Sequence, residues 1–342
     1  MVAPSIALVV GTVLIAVLLA LFLPKRGLVA RWQQFQRNTS RVLAEDALKH
    51  VYDCEYKNVH SSLQSIAGAL AISPDKAIRL VSRLEGMGLV SSRANALTLT
   101  ADGRSYALRI IRVHRLLEHY LADETGLHET EWHKEAERQE HRLAPGEVDA
   151  LAARMGNPGF DPHGDPIPTA NGDLPTPIGI PLTDLEGGGI GTIVHIEDEP
   201  PTVYAQLVAQ GLYPGMQIRM VESIRDRIRF AANEEERILA PLLARNITIR
   251  RIPVEEKLEG PHKTLASVKA GEAAVVVGIS KACRGQQRRR LMDLGIIPGT
   301  KIAAEMQSVG GDPTAYRVRG ALVALRKLQA KHIFVEPEGE EA

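Results

Sequence analysis

The C-terminal half of the chain is written twice, and that doubling restricts its architecture more than any other feature. Leu207-Val-Ala-Gln-Gly-Leu-Tyr-Pro-Gly-Met-Gln-Ile218 matches Leu291-Met-Asp-Leu-Gly-Ile-Ile-Pro-Gly-Thr-Lys-Ile302. A β-branched strand precedes each copy, Gly191-Thr-Ile-Val-His-Ile196 and Ala274-Val-Val-Val-Gly-Ile279, and strands ending at Ile247-Thr-Ile249 and Ile333-Phe-Val335 follow. Short alternating strands around a Gly-x-x-Pro-Gly turn suit small SH3-like β-barrels. Two are expected, at residues 182–254 and 262–337. Gly156 to Pro181 is dense in Pro and Gly, so a linker is expected at 161–181.

The N-terminus is a different material. Val2 to Leu23 holds no charged residue, and Pro24-Lys25-Arg26 follows. Such a run can cross a hydrocarbon core of about 30 Å as a helix. With the positive charge placed after the apolar run, the expectation is a single-pass anchor at 2–23 in the inner membrane, N-terminus out, with the bulk of the chain cytoplasmic. A juxtamembrane segment at 24–40 carries Arg26, Arg31 and Arg37, which can lie against anionic headgroups.

Helix signals resume at Arg41, where Leu43, Ala47, Leu48, Val51 and Tyr52 make an apolar face. Next come two short helices joined at Ala71-Ile72, with Ser73 placed as N-cap and Pro74 at the first helical position. Ile78, Val81, Leu84 and Leu89 are read as core-facing. The strand Leu97-Thr-Leu-Thr100 adds a wing, which makes residues 41–105 a winged helix-turn-helix. Lys76, Arg79 and Arg83, with Ser73, would face a nucleic acid and reach phosphates or guanine edges, and Asp75 opposes them.

Residues 106–160 carry the chemistry. His133, Glu137, Glu140 and His141 stand at i, i+4, i+7 and i+8, one face of a helix. Two imidazoles with two carboxylates suit Mn²⁺, Fe²⁺ or Zn²⁺; a solvated face of i,i+4 ion pairs with Lys134, Arg138 and Arg142 fits the same spacing. His114 and Glu118 repeat the i,i+4 spacing one helix earlier, and a hairpin would bring both sets together. Cys54 and Cys283 are the only cysteines, which excludes a disulfide framework or a four-cysteine zinc site. No nucleophile elbow, phosphate loop or Ser/Cys-with-His arrangement is present, so the chain is not read as an enzyme. Lys+Arg and Asp+Glu are both 41, so any nucleic-acid surface must be local.

These pieces together resemble the metal-dependent repressors of the DtxR/MntR family over residues 41–175. The likeness runs through Glu45-Asp46, the Ser73-Pro74 helix, Arg83-Leu84-Glu85 with Gly88-Leu89-Val90, and Leu99-Thr-Ala-Asp-Gly-Arg104. It continues through His114-Arg-Leu-Leu-Glu118, Glu135-Ala136 with Glu140-His141, and Pro162-His-Gly-Asp-Pro-Ile-Pro168. The second C-terminal copy resembles a FeoA domain. The resemblance implies an activating metal site at Asp46, Glu137, Glu140 and His141 and a neighbouring one at His114, Glu118 and His133. Asp46 and Glu137 stand where iron-type members use Met and Cys, which leans toward Mn²⁺, or Fe²⁺ in an oxygen-and-nitrogen site. Lys49 stands where manganese-type members have a second-site Glu, which counts against a binuclear manganese site of their kind. The implied partners are DNA, as the operator of metal-homeostasis genes, and a second copy in a homodimer. The rival is a metal-sensing interaction module that regulates a ferrous-iron or manganese transporter without binding DNA. The expected fold class is multidomain α+β: transmembrane helix, winged helix-turn-helix, helical metal-binding and dimerisation domain, and two small barrels.

Overall fold

A computed structural model describes residues 40–93, 96–176, 178–232, 235–253 and 263–337. The chain divides into two compact units, the first running through Ile111 and the second from Arg112 onward.

In the first unit, α1 (Ser40–Tyr56), α2 (Leu63–Ala69) and α3 (Pro74–Gly86) pack over a two-stranded wing, β1 (Val90–Arg93) and β2 (Ala96–Leu99). Ser62 and Ser65 close a capping box at the start of α2, with N···Oγ distances of 2.9 and 3.1 Å. Ser73 occupies the N-cap of α3 but makes no side-chain capping bond, and Pro74 opens the helix. The buried stripe of α3 is Ala77, Leu80, Val81 and Leu84, spaced i, i+3, i+4, i+7. Ile78, expected in the core, falls off that stripe and is 49 % exposed. Lys76, Arg79 and Arg83 face solvent together with Asp75.

One carboxylate of this unit, Glu45, is buried. Glu45 accepts from Arg41 at 2.8 Å and from the Tyr106 hydroxyl at 3.0 Å, which compensates its removal from water. The long helix α4 (Ala101–Glu124) enters the unit at Gly103, where an added Cβ would lie 1.8 Å from the Leu89 carbonyl oxygen. Only glycine permits that approach.

At about 36 Å by its rise per residue, α4 is long enough to cross a bilayer. It carries Asp102, Arg104, Arg109, Arg112, Arg115, Glu118, Asp123 and Glu124, so it is not an apolar span. Among the described residues no helix is long and apolar enough to cross a membrane. The expected inner-membrane, single-pass location is corrected on that ground. The stretch 2–23 on which it rested, and 24–39 after it, lie outside the described residues.

The second unit continues with α5 (Trp132–Gln139), α6 (Pro145–Arg154) and two β-domains. The first has β3 (Ile180–Pro181), β4 (Ile190–Ile196), α7 (Pro201–Ala209), β5 (Gln217–Ile224), β6 (Arg227–Ala232), β7 (Glu235–Leu239), α8 (Pro241–Ala244) and β8 (Ile247–Ile252). The second has β9 (Lys263–Thr264), β10 (Ala273–Ile279), α9 (Gly285–Asp293), β11 (Lys301–Gln307), β12 (Thr314–Val318), β13 (Ala321–Leu325), α10 (Lys327–Ala330) and β14 (Ile333–Pro337).

The strand orders are β3-β8-β4-β5-β6-β7 and β9-β14-β10-β11-β12-β13, one topology used twice. Even the bulges coincide, at Ile193/His195 and Val276/Gly278 and again at Met220/Glu222 and Ala304/Met306. Each is a six-stranded antiparallel sheet whose outer strands form no ladder with each other among the described residues, so the barrels expected from the repeat are open sheets. Phe230 and Met220 in the first core, and Tyr316 and Ile302 in the second, are fully buried. Each contributes roughly 1.5–3 kcal/mol of apolar burial.

Candidate metal centre

Within the second unit, α4 and α5 form the hairpin read from sequence. Leu117, Leu121 and Ala122 of α4 pack against Trp132 and Ala136 of α5. This core sets the facing polar side chains. His114 Nε2 lies 3.1 Å from Glu118 Oε1 and 3.2 Å from His133 Nδ1. His133 Nδ1 is 3.0 Å from the same Glu118 oxygen.

The structure therefore brings His114, Glu118 and His133 together. Glu140 joins them through Oε2, 2.5 Å from His114 Nδ1, while its Oε1 lies 3.4 Å from His141 Nε2. The single helical face expected for His133, Glu137, Glu140 and His141 is not formed. Helix α5 stops at Gln139, and Glu140–Arg142 is a tighter 3-10 turn. At about three residues per turn, that segment changes the phase of everything after Gln139. Glu137 stays at the solvent edge, 44 % exposed at its side chain and 3.8 Å from His133 Nε2. Asp46 sits half-buried on α1 of the first unit.

Two residues that were not read as ligands complete the cluster. Asp198, just after β4, places Oδ2 2.8 Å from His133 Nδ1. His163 places Nδ1 3.7 Å from that Asp198 oxygen and 3.9 Å from Glu118 Oε2. The Pro162-His-Gly-Asp-Pro motif hinted at His163; nothing local in the sequence marks Asp198.

The loop holding His163 is built to hold it. Asp161 Oδ1 accepts the backbone N–H groups of His163, Gly164 and Asp165, each at 2.9 Å. Arg115 donates to the Pro166 carbonyl at 2.5 Å and to Asp165 at 3.2 Å, and Arg112 donates to the Pro168 carbonyl at 2.8 Å. The Ile196 N–H reaches the His163 carbonyl at 2.9 Å, which ties the first β-domain to the same loop.

The electrostatics suit a cation. Burial alone would push the Glu118 carboxyl up, but the imidazoles of His114 and His133 hold it well below the usual carboxylate range. Burial would lower His133; Asp198, Glu118 and Glu199 outweigh it and raise the imidazole. His163 is 1 % exposed, and neither ring nitrogen has a hydrogen-bond partner among the described residues. Buried polar atoms are normally paired, so an orphaned imidazole facing two carboxylates fits a metal ligand awaiting its ion. Imidazole nitrogens with carboxylate oxygens are the donor set of Mn²⁺, Fe²⁺ and Zn²⁺. The residues fit a divalent transition ion.

A flanking ion pair sets a pH window. Asp165 is drawn down to about 2: burial opposes this, and His195 at 3.4 Å and Arg115 outweigh it. His195 is raised, because Asp165 overcomes the burial that would lower it. The Asp165 contribution is present above the ordinary carboxylate range and lost as pH falls toward about 2. The His195 contribution is present below the ordinary imidazole value and lost as pH rises through the raised one. Urea titrations are expected to show wild type losing on the order of 1 kcal/mol more than His195→Gln between about pH 6 and pH 9. Equal losses in the two proteins would rule the pair out as a source of pH dependence.

Comparison with known proteins gives a consistent result. A family described as the iron dependent repressor, metal binding and dimerisation domain matches residues 100–169, and the FeoA domain matches 180–251 and 263–337. The chain is similar to the iron-dependent repressor IdeR of Mycobacterium leprae, 29 % identical over 213 residues that cover 57 % of this chain and 90 % of that protein. It is 37 % identical to IdeR of Mycobacterium bovis over 122 residues, 35 % of this chain, and spans about half (53 %) of that relative. Among solved structures it resembles a manganese-dependent transcriptional repressor in complex with manganese. The TM-score is 0.57 and the identity 31 %, with 61 % of this chain and all of that one covered.

Proposed function

Because this chain belongs to the metal-dependent transcriptional repressors of the DtxR/IdeR/MntR type, with FeoA domains appended, we propose that it binds operator DNA of metal-homeostasis genes as a homodimer in response to Mn²⁺ or Fe²⁺. The observation that carries this reading is the pair of groups sharing buried Glu118, His114–Glu118–His133 and Glu118–His163–Asp198, with the unpartnered imidazole of His163. The repressors to which it is similar are named as regulators of transcription rather than as enzymes.

A divalent ion supplies a compact positive charge that gathers carboxylates and neutral imidazoles. Glu118, His114 and His133 would hold it from the hairpin, and Asp198 from the first FeoA domain. Glu140 touches this cluster through His114 and, with Glu137, His141 and Asp46, would make the activating set that the family motif implies. Asp46 belongs to α1 of the DNA-binding unit, so its recruitment would convert binding free energy into a preferred posture of that unit. Ser73, Lys76, Arg79 and Arg83 would then contact the duplex, with the cations on phosphates or guanine edges. Affinity would fall steeply with salt.

The test is retention of the full chain on its own upstream DNA, with and without Mn²⁺ or Fe²⁺. Metal-dependent, sequence-specific retention lost in Arg79→Ala supports the proposal. Metal uptake with no DNA retention would instead favour a module that docks on a metal transporter.

A further inference from the structure

We propose that the second FeoA domain is an intramolecular clamp that holds the first one on the hairpin and thereby slows escape of the ion. The inference rests on the metal reading above.

The clamp's contact lies at the far end of α4. The last turn of that helix carries Asp123 and Glu124, and the N-terminal part of α9, from its N-cap Arg284 to Arg289, meets it. Arg284 Nη1 lies 3.3 Å from Asp123 Oδ1, and Arg289 Nη2 lies 2.6 Å from Glu124 Oε2. Between them sits Gly285 at φ +56, where an added Cβ would fall 2.3 Å from the Thr125 carbonyl oxygen and 2.9 Å from that of Ala122. A side chain there would force the two elements apart.

The contact also brings helix ends of opposite partial charge together. The carbonyl-rich C-terminus of α4 faces the N-terminus of α9, and the acids and arginines reinforce that polarity. Two arginines of the run Arg288-Arg289-Arg290 are engaged in contacts. Arg289 is committed to Glu124, and Arg288 donates to the carbonyls of Ile279 and Ser280, both at 3.2 Å.

The same domain grips the first FeoA domain. The Lys281 side chain packs over Gly215, within 3.0 Å of where a Cβ would stand, and Lys331 Nζ lies 3.9 Å from Glu235. Glu129, His163, Tyr204, Pro214, Lys281 and Arg284 line one cleft where hairpin, first domain and second domain converge. His163 is thus a wall of both the metal cluster and this junction.

The consequence follows from effective concentration. Asp198 is delivered to the cluster by a separate domain, so the fraction of time it spends on the ion depends on how firmly that domain is docked. A second tether raises its effective concentration without adding a ligand. Releasing the clamp leaves the ligand set intact but lets Asp198 leave more often.

The test uses the full chain with Arg284→Glu and Arg289→Glu together, the same pair combined with Asp123→Arg and Glu124→Arg, and separately Gly285→Val. Amide exchange at residues 122–126 and 284–289 reports docking, and stopped-flow transfer of Mn²⁺ to excess EDTA reports escape. Charge reversal and Gly285→Val are expected to abolish protection and speed release about tenfold, and the four-residue swap to restore both. Protection lost with unchanged release overturns the clamp, as does protection retained in both disruptive variants. Wild-type protein that takes up no Mn²⁺ sensitive to Glu118→Gln overturns the metal reading itself.

Discussion

Glu118→Gln is expected to weaken Mn²⁺ binding at the hairpin by about a hundredfold or more, with the fold intact. One oxygen of this carboxylate serves both His114 and His133, and the other faces His163. Glu118 thus lies within 4 Å of three imidazoles. An amide keeps the volume and removes the charge. Its NH₂ group would also point hydrogens at nitrogens that must offer lone pairs to an ion. Removing the charge has a second effect in the metal-free protein. His133 is raised above its ordinary value in part by Glu118, so the variant imidazole gives up its proton more readily. Metal then displaces fewer protons, which partly offsets the lost ligand at low pH and not at high pH. Calorimetric titration with Mn²⁺ in two buffers of different ionisation enthalpy reads both quantities. An affinity within about threefold of wild type would remove Glu118 from the ligand set.

How much of this was legible beforehand differs between elements for physical reasons. The doubled C-terminal half could be read because each FeoA copy repeats the same short alternating strands around a turn that demands Pro and Gly; the closing pairs, β4 with β8 and β10 with β14, span nearly the whole of each copy and carry no local signal. The His114–Glu118 pair and its meeting with His133 followed from i,i+4 spacing on two adjacent helices. Glu140 was assigned to one face with His133 by extending α-helical phase past Gln139, and the 3-10 turn breaks that extrapolation. Asp198 has no periodic signal at all. It enters the site because the His163 loop, pinned by Arg112 and Arg115, docks the first FeoA domain through Ile196. Ile78 shows the limit at the other scale: with both Ala77 and Ile78 available, hydrophobicity favours the larger side chain, while the stripe set by Leu80, Val81 and Leu84 runs through Ala77 and leaves Ile78 outside it.

Mn²⁺ at a free concentration about a thousandfold above its Kd is expected to stabilise the second unit by about 4 kcal/mol, and Asp198→Ala to change which part of the protein receives that stabilisation. An ion that binds the native state alone adds stability to every element whose unfolding destroys the site. Because Asp198 follows β4, opening of the first FeoA domain removes a ligand, so metal must raise exchange protection on β4 and β8 as well as on α4 and α5. In Asp198→Ala the remaining ligands belong to the hairpin and the His163 loop. Mn²⁺ should still protect α4 and α5, with affinity reduced by about 10–100-fold, and no longer protect β4 and β8 beyond their metal-free level. The contrast is internal to one protein, since both domains report in the same exchange experiment. If β4 and β8 gain as much protection in Asp198→Ala as in wild type, the FeoA domain feels the ion only through the hairpin and contributes no ligand. If they gain none even in wild type, the site closes without that domain, and the 2.8 Å approach of Asp198 to His133 is an ion pair and nothing more.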